Sequence, residues 1–175
     1  MAALDGPGAA AVEYEIRAGA CTDQDLSRLT PRTARDVFAG LVSPDLEEMS
    51  GRWDGRMVGR WWLRWLQRAT SLPTPLRGWC GKEIEPSGQV RNLVRRSGAI
   101  RPSVACAAAT GSSVVDGRRA LIVDYAASGS PLVTSLRGEI RWLDQGERVL
   151  GLVMVRPGGR TLATFPFEMT RSDRV

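Results

Sequence analysis

Gly51-Arg52-Trp53-Asp54-Gly55 opens the first strongly patterned segment of the chain, and its reading decides the fold. With period two, Gly51, Trp53, Gly55 and Met57 share one face, while Arg52, Asp54, Arg56 and Val58 share the other. Glycine is disfavoured in a strand. Two of them flanking one large indole imply a bend and a close backbone approach around a buried Trp plug. The first strand of a small closed barrel needs both properties, because it must curve sharply and close one end. An ordinary core Trp beside turn glycines would carry the same residues, so the flanking sequence has to supply the rest.

Downstream, Trp62, Trp65, Leu66 and Ala69 follow i, i+3, i+4, i+7, with Arg60, Arg64, Gln67 and Arg68 opposite. This short Trp/Arg amphipathic helix could lie on a membrane surface. A helix closing a barrel mouth carries the same pattern, and the lid is the favoured reading. A proline-containing loop over 71–77 leads into Gly78-Trp79-Cys80-Gly81-Lys82-Glu83-Ile84. From residue 104 the chain reads as antiparallel strands over 104–115, 120–126, 132–143, 149–156 and 161–170, with a two-residue turn at Asp116-Gly117. The densest basic run, 91–101, holds Arg91, Arg95, Arg96 and Arg101 without interleaved aromatics, so it reads as a solvated face and nucleic-acid binding is not expected.

Upstream, 13–50 reads as a helical segment. Thr30-Pro31 is a cap followed by proline at the first helical position, and Ser43-Pro44 starts a second short helix through Glu48. Residues 1–12 form a Gly/Ala/Pro tail with no basic n-region or leucine-rich core, so no signal peptide is expected. The expected organisation is a mainly β, single antiparallel barrel over 51–171, forming one domain with the helices of 13–50. No segment reaches the ~18 consecutive apolar residues of a membrane span.

With 175 residues, 43% hydrophobic, the chain can bury one real core. Its net charge of +5 is interspersed and says little about partners. Three widely spaced cysteines, Cys21, Cys80 and Cys106, form no metal or disulfide pattern, and the odd count favours a reducing cytoplasm. Histidine is absent, which removes Ser-His-Asp and Cys-His catalysis, imidazole metal sites and a His-ligated haem. Lys82 is the single lysine among 24 basic side chains, the excess of arginine fitting a high-GC coding bias. A lysine retained against that bias is a candidate functional group.

The ordered set Gly51-Arg52-Trp53-Asp54-Gly55, Gly78-Trp79-Cys80-Gly81-Lys82, Pro131-Leu132-Val133 with Arg137, Val149-Leu150-Gly151-Leu152, and Phe165 with Phe167 resembles the bacterial GXWXG family, in which that domain precedes a companion domain of unknown function. The similarity runs from about residue 37 to 171. It implies a lipocalin-like β-barrel and no established activity. After Pro-Leu-Val, members commonly carry an Asp-His pair where this chain has Thr134-Ser135, so any chemistry of those groups does not transfer.

The candidate catalytic residues are Lys82 and Tyr125. An ammonium or amine in an apolar pocket can polarise a carbonyl or act as base or nucleophile, and a phenol beside it can donate to an enolate or carbonyl oxygen. Lys82 and Glu83 point to opposite faces, so at most one enters the lumen. Glu139 and Arg141 share a face and are expected to pair with each other. Ala105, Cys106, Ala107, Ala108 and Ala109 are small on both faces, which should leave a cavity along that wall. The strand over 149–155 is apolar on both faces, one side for the lumen and one for the helices. The residues expected to line the substrate site are therefore Trp53, Met57, Trp65, Trp79, Ala107, Met154, Phe165 and Phe167. Neither a metal nor an organic cofactor is expected.

Three functions fit these features. One is a cofactor-independent cyclase or isomerase, pericyclase-like, that folds a polyketide-type apolar substrate in its lumen and uses one or two hydrogen-bond donors. Another is a non-catalytic carrier of a lipophilic molecule. The remaining one is an interaction module docking through the helix over 61–66. The enzyme is preferred. Its expected partner is an apolar small molecule, with self-association into a homodimer also open to it.

Overall fold

In the computed structural model, which describes residues 22–71 and 73–172, the Gly51 segment is the first strand of a closed barrel. The tail 1–12 and Cys21 lie outside the described residues. The strands are β1 (Gly51–Met57), β2 (Trp79–Ile84), β3 (Gln89–Arg96), β4 (Ala99–Ser112), β5 (Arg119–Asp124), β6 (Leu136–Asp144), β7 (Arg148–Val155) and β8 (Ala163–Arg171). Each pairs antiparallel with the next, and β1 closes the ring on β8 through Trp53↔Arg171 to Met57↔Phe167. The mainly β, single-barrel expectation holds.

Among the described residues three α-helices accompany the sheet, α1 (Asp23–Arg28), α2 (Pro31–Gly40) and α3 (Trp61–Ser71), with a single 3-10 turn at Pro157–Gly159. Both N-terminal helices start with a capping box, Thr22 with Asp25 and Thr30 with Thr33, and Pro31 supplies the preset φ of the first turn. The segment after Ser43-Pro44 forms tight turns, with Met49 N–H donating to Leu46 C=O, and no second helix. It is too short to repeat the helical ladder before β1 begins.

Alternation sorts the side chains into two apolar layers. Inside the barrel, Trp53, Ile84, Val90, Val104, Leu121, Val123, Ile140, Trp142 and Met169 pack together. Outside it, Leu150, Leu152, Met154, Ala120 and Ile122 form a patch that α1 and α2 cover with Leu26, Leu29, Ala34 and Phe38. The helices therefore close one outer face of the sheet. β7 divides as its two-sided apolar character predicts: Leu150, Leu152 and Met154 face the helices, Val149 and Val153 the interior.

Two expectations about strands need correction. The basic run at 91–101 is more than a solvated face: Arg95, Arg96 and Arg101 are exposed, but the run forms most of β3 and the start of β4, with Asn92, Leu93 and Val94 buried. The arginines lie where the strand meets water and hid the alternation. The strand expected over 132–143 begins only at Leu136, because 131–135 turns, with Val133 N–H donating to Ser130 C=O and Leu136 N–H to Val133 C=O.

Candidate functional site

Three polar side chains meet inside this apolar barrel: Lys82 from β2, Asn92 from β3 and Tyr125 one residue beyond β5. Backbone irregularities aim them. In β2 the register slips between Trp79 and Gly81, so Trp79 and Lys82 both face the lumen although a regular strand would put them on opposite faces. A Cβ on Gly81 would lie 2.1 Å from the Trp53 carbonyl oxygen, so only glycine lets β1 approach the bulge. A second slip lies between Arg91 and Leu93 against β4, beside Pro102, which has no N–H to give to the ladder. There the Asn92 amide replaces backbone pairing, donating from Nδ2 to Val104 C=O at 2.9 Å and to Cys106 Sγ at 3.4 Å.

Those two bonds fix the amide, and its Oδ1 must then face Lys82. The Lys82 ammonium donates to Asn92 Oδ1 at 2.6 Å and to the Tyr125 hydroxyl at 2.7 Å, while Tyr125 OH lies 3.2 Å from the same Oδ1. Nζ also sits 5.2 Å from the Tyr125 ring centre and 5.7 Å from that of Trp79, within cation–π range. Lys82 is 2% exposed, and Asn92 is fully buried. Among the described residues Lys82 belongs to no ion pair. Burial holds the Tyr125 phenol above its ordinary pKa, against the opposing pull of the Lys82 charge and of its hydrogen bonds to Lys82 and Asn92. Burial likewise raises the Cys106 thiol, opposed by Lys82 and the Asn92 hydrogen bond.

The cluster faces a cavity of about 420 Å³, within the ~300–1,000 Å³ range of small-molecule sites. Met57, Leu136, Val153, Phe165 and Phe167 make its apolar wall, and Leu66 and Gln67 of α3 with Leu132 and Ser135 lie at its rim. The second glycine of the opening motif now has a role: a Cβ on Gly55 would lie 2.4 Å from the Trp79 indole, so that ring fits only over a bare backbone. Gly151 makes the same room for Phe167, whose ring meets Trp79 edge-on at 5.3 Å.

The structure brings Lys82, Tyr125, Met57, Trp79, Phe165 and Phe167 together around one cavity. The other expected lining residues lie elsewhere. Trp53 is fully buried, donates from Nε1 to Met49 C=O at 2.8 Å, packs on Trp142, and has the Arg171 guanidinium 4.6 Å from its ring centre. It closes an end of the barrel as a plug and does not line the cavity. Met154 faces the helices. Ala107 is exposed, as are Ala105 and Ala109; Cys106 and Ala108 point inward, but that side is filled by Leu46 and Met49, so the small-residue wall lines no cavity. Trp65 is 66% exposed on the outside of α3, where it borders an outer groove with Arg64 and Arg95. The helix is anchored by Leu63, one position from the face its periodicity selects.

Sequence reasoning missed Asn92. The signal was an asparagine at an inward position of an alternating segment, Val90-Arg91-Asn92, hidden by the arginines around it. The other charged candidates have structural partners outside the lumen. Glu83 points outward to Arg91. Glu139 and Arg141 do not pair with each other: Glu139 binds Arg137 and Ser113, while Arg141 forks onto Asp116 and donates to Phe38 C=O at the end of α2. Glu139 takes its partner from its own strand two positions back, and Arg141 turns instead to Asp116 and the end of α2. No group of His, Cys, Asp and Glu that could hold a metal ion occurs among the described residues, and none of their helices is long and apolar enough to cross a membrane.

No protein-family model and no curated protein matches this sequence. Among solved structures, a protein from Thermomonospora curvata is similar in fold, at 18% identity, with a TM-score of 0.59 over 83% of this chain and 89% of that one. At that identity the likeness speaks for the barrel alone.

Proposed function

We propose that the barrel is a cofactor-independent cyclase or isomerase that holds an apolar, polyketide-type small molecule in its lumen and stabilises charge developing on one of its oxygens. The observation that carries this reading is the Lys82–Asn92–Tyr125 cluster at a mostly apolar cavity. An ammonium has three N–H donors, and two are engaged, which leaves one for a bound oxygen. Tyr125 supplies a second donor, because Lys82 already satisfies Asn92 Oδ1 when the phenol turns away. Asn92, with its amide locked, positions both and does no chemistry itself. Two donors aimed at one oxygen in a dry cavity favour an enolate-like transition state over its ground state. The apolar wall folds the remainder of the substrate into a reactive geometry and excludes water.

The resemblance to the GXWXG family belongs to this proposal, supported by the barrel and by the ordered placement of Trp53, Trp79 and Lys82 around its interior. A cytoplasmic location is likewise proposed, in keeping with free Cys80 and Cys106.

The test is conversion of a synthetic polyene 1,3-dicarbonyl to a cyclised product of equal mass, followed by chromatography. Turnover should fall by one to two orders of magnitude in Lys82→Met, about 1.4–2.7 kcal/mol of transition-state stabilisation, and by less in Tyr125→Phe. A parent protein that binds such molecules without converting them is a carrier. That second reading is favoured by one observation: Lys82 is the sole charged side chain among the residues lining the cavity, so no acid–base pair faces the ligand.

A further inference from the structure

We propose that the ligand of this cavity is a monoanionic amphiphile, with a carboxylate or a 1,3-dicarbonyl enolate bound at Lys82 and Tyr125 and an apolar body along Phe165, Phe167 and Val153. This rests on the reading of the cavity as a ligand site and adds the charge of the ligand to it.

The argument is one of electrical balance. An ammonium removed from water needs an opposite charge or a full set of acceptors. Lys82 has neither from the described residues: its two partners are neutral oxygens, and the third N–H has no protein acceptor. The nearby carboxylates are all turned outward: Glu83 and Glu85 pair with Arg91, Glu139 with Arg137, Glu168 with Arg56 and Arg148, and Asp124, beside Tyr125, is exposed and accepts from Ala126 N–H. The barrel thus keeps its acids on its outer face and one cation within.

The neighbours of Lys82 select the same ligand. Asn92 cannot rotate to offer its NH₂, because Val104 C=O and Cys106 Sγ hold it. What faces the cavity is therefore one N–H of Lys82 and, on rotation, the O–H of Tyr125. Both are donors. A cationic or purely donating head would meet a like charge and no acceptor, and a neutral ester would leave the ammonium without its counter-charge. A single cation balances a single negative charge, which excludes a phosphate dianion. The wall beyond is mostly apolar, its other polar residues being the neutral Gln67, Thr74 and Ser135, and it has no second cation to hold a charge at the other end.

The experiment is competition against the neutral dye Nile red on the full chain, using dodecanoate, methyl dodecanoate, dodecylamine and a 2-acyl-1,3-cyclohexanedione, each below its micellar concentration. Dodecanoate is expected to displace the dye about 10- to 100-fold more tightly than its ester, the contribution of one charge-assisted hydrogen bond, with the amine weakest. The enolate arm tells the two head groups apart: whichever anion binds more tightly names the source. In Lys82→Met, and in Lys82→Gln should the first fail to fold, the acid-to-ester ratio should fall to about 1. Equal affinity for acid and ester in the parent, or a ratio that persists without Lys82, overturns the inference while leaving the cavity a ligand site. Failure of the parent to bind Nile red or any competitor overturns the functional reading itself.

Discussion

Gly55→Ala adds one methyl group to the motif strand, and the structure specifies where it goes. The new Cβ would stand 2.4 Å from the Trp79 ring edge, so the indole must retreat by about 1 Å to regain ordinary contact. It cannot retreat freely, because the edge of Phe167 lies against it and Phe167 in turn fills the space over Gly151. Overpacking of this kind costs about 1–3 kcal/mol, and removal of a strand glycine offsets roughly 0.5–1 kcal/mol of that. The net loss is about 0.5–2 kcal/mol, a fall in Tm of about 1–8 °C for a domain this size. The same displacement should move Trp79 into the cavity and weaken Nile red binding. Thermal unfolding followed by tryptophan fluorescence measures the first effect, and dye titration the second. Combining Gly55→Ala with Trp79→Leu should recover part of the loss, since the clash disappears with the ring. A Gly55→Ala protein that melts at or above the parent and binds the dye unchanged would refute the reasoning, as would strict additivity in the double variant.

Trp53→Ala should cost about 3–5 kcal/mol, as for other buried aromatics, and a melting point within a degree or two of the parent would remove Trp53 as the plug. The Arg141 fork holds the Asp116 carboxylate below its usual range, so the stability it confers is complete above the unfolded value near ~4 and is lost as the pH falls through the lower folded value. Asp116→Asn should therefore flatten the acid limb of a stability–pH curve; an unchanged limb would count against that ion pair. Tyr125 behaves oppositely: its raised pKa means that stability is intact below the unfolded value near ~10 and declines as the pH climbs toward the folded one. In a Tyr14→Phe variant, tyrosinate absorbance should appear only above the ordinary phenol range, and ionisation at the ordinary value would show Tyr125 to be solvated.

The barrel was legible because alternation is a robust signal where one face is apolar and turns are marked by pairs such as Asp116-Gly117. β3 was not, since five of its eight residues are Gln, Asn or Arg, and a strand end that projects arginines into water imitates a charged loop. For the site, Lys82 and Tyr125 could be named from rarity and parity. Their partner Asn92 could not, because its role depends on a bulge opposite Pro102 that no periodicity encodes. Cavity placement failed for a related reason. Small side chains at 105–109 suggested empty space, whereas the end turn around Leu46 and Met49 fills that side and the space lies toward α3.

Closure of the ring sets the order in which this chain can assemble. Every strand pair but one joins neighbours in sequence, whereas β1 meets β8 across nearly the whole barrel segment. Local hairpins can zip early, and the β1–β8 seam must wait for all of them. Arg171 is the stitch at that seam: it spans Gly146 C=O, Ser50 C=O and Glu48 C=O and covers the Trp53 ring. Until it is set, the sheet has two raw edges carrying free backbone donors and acceptors, which are templates for pairing with another chain. The residues that tie the two ends of the barrel together therefore also protect it, during folding, from its own kind.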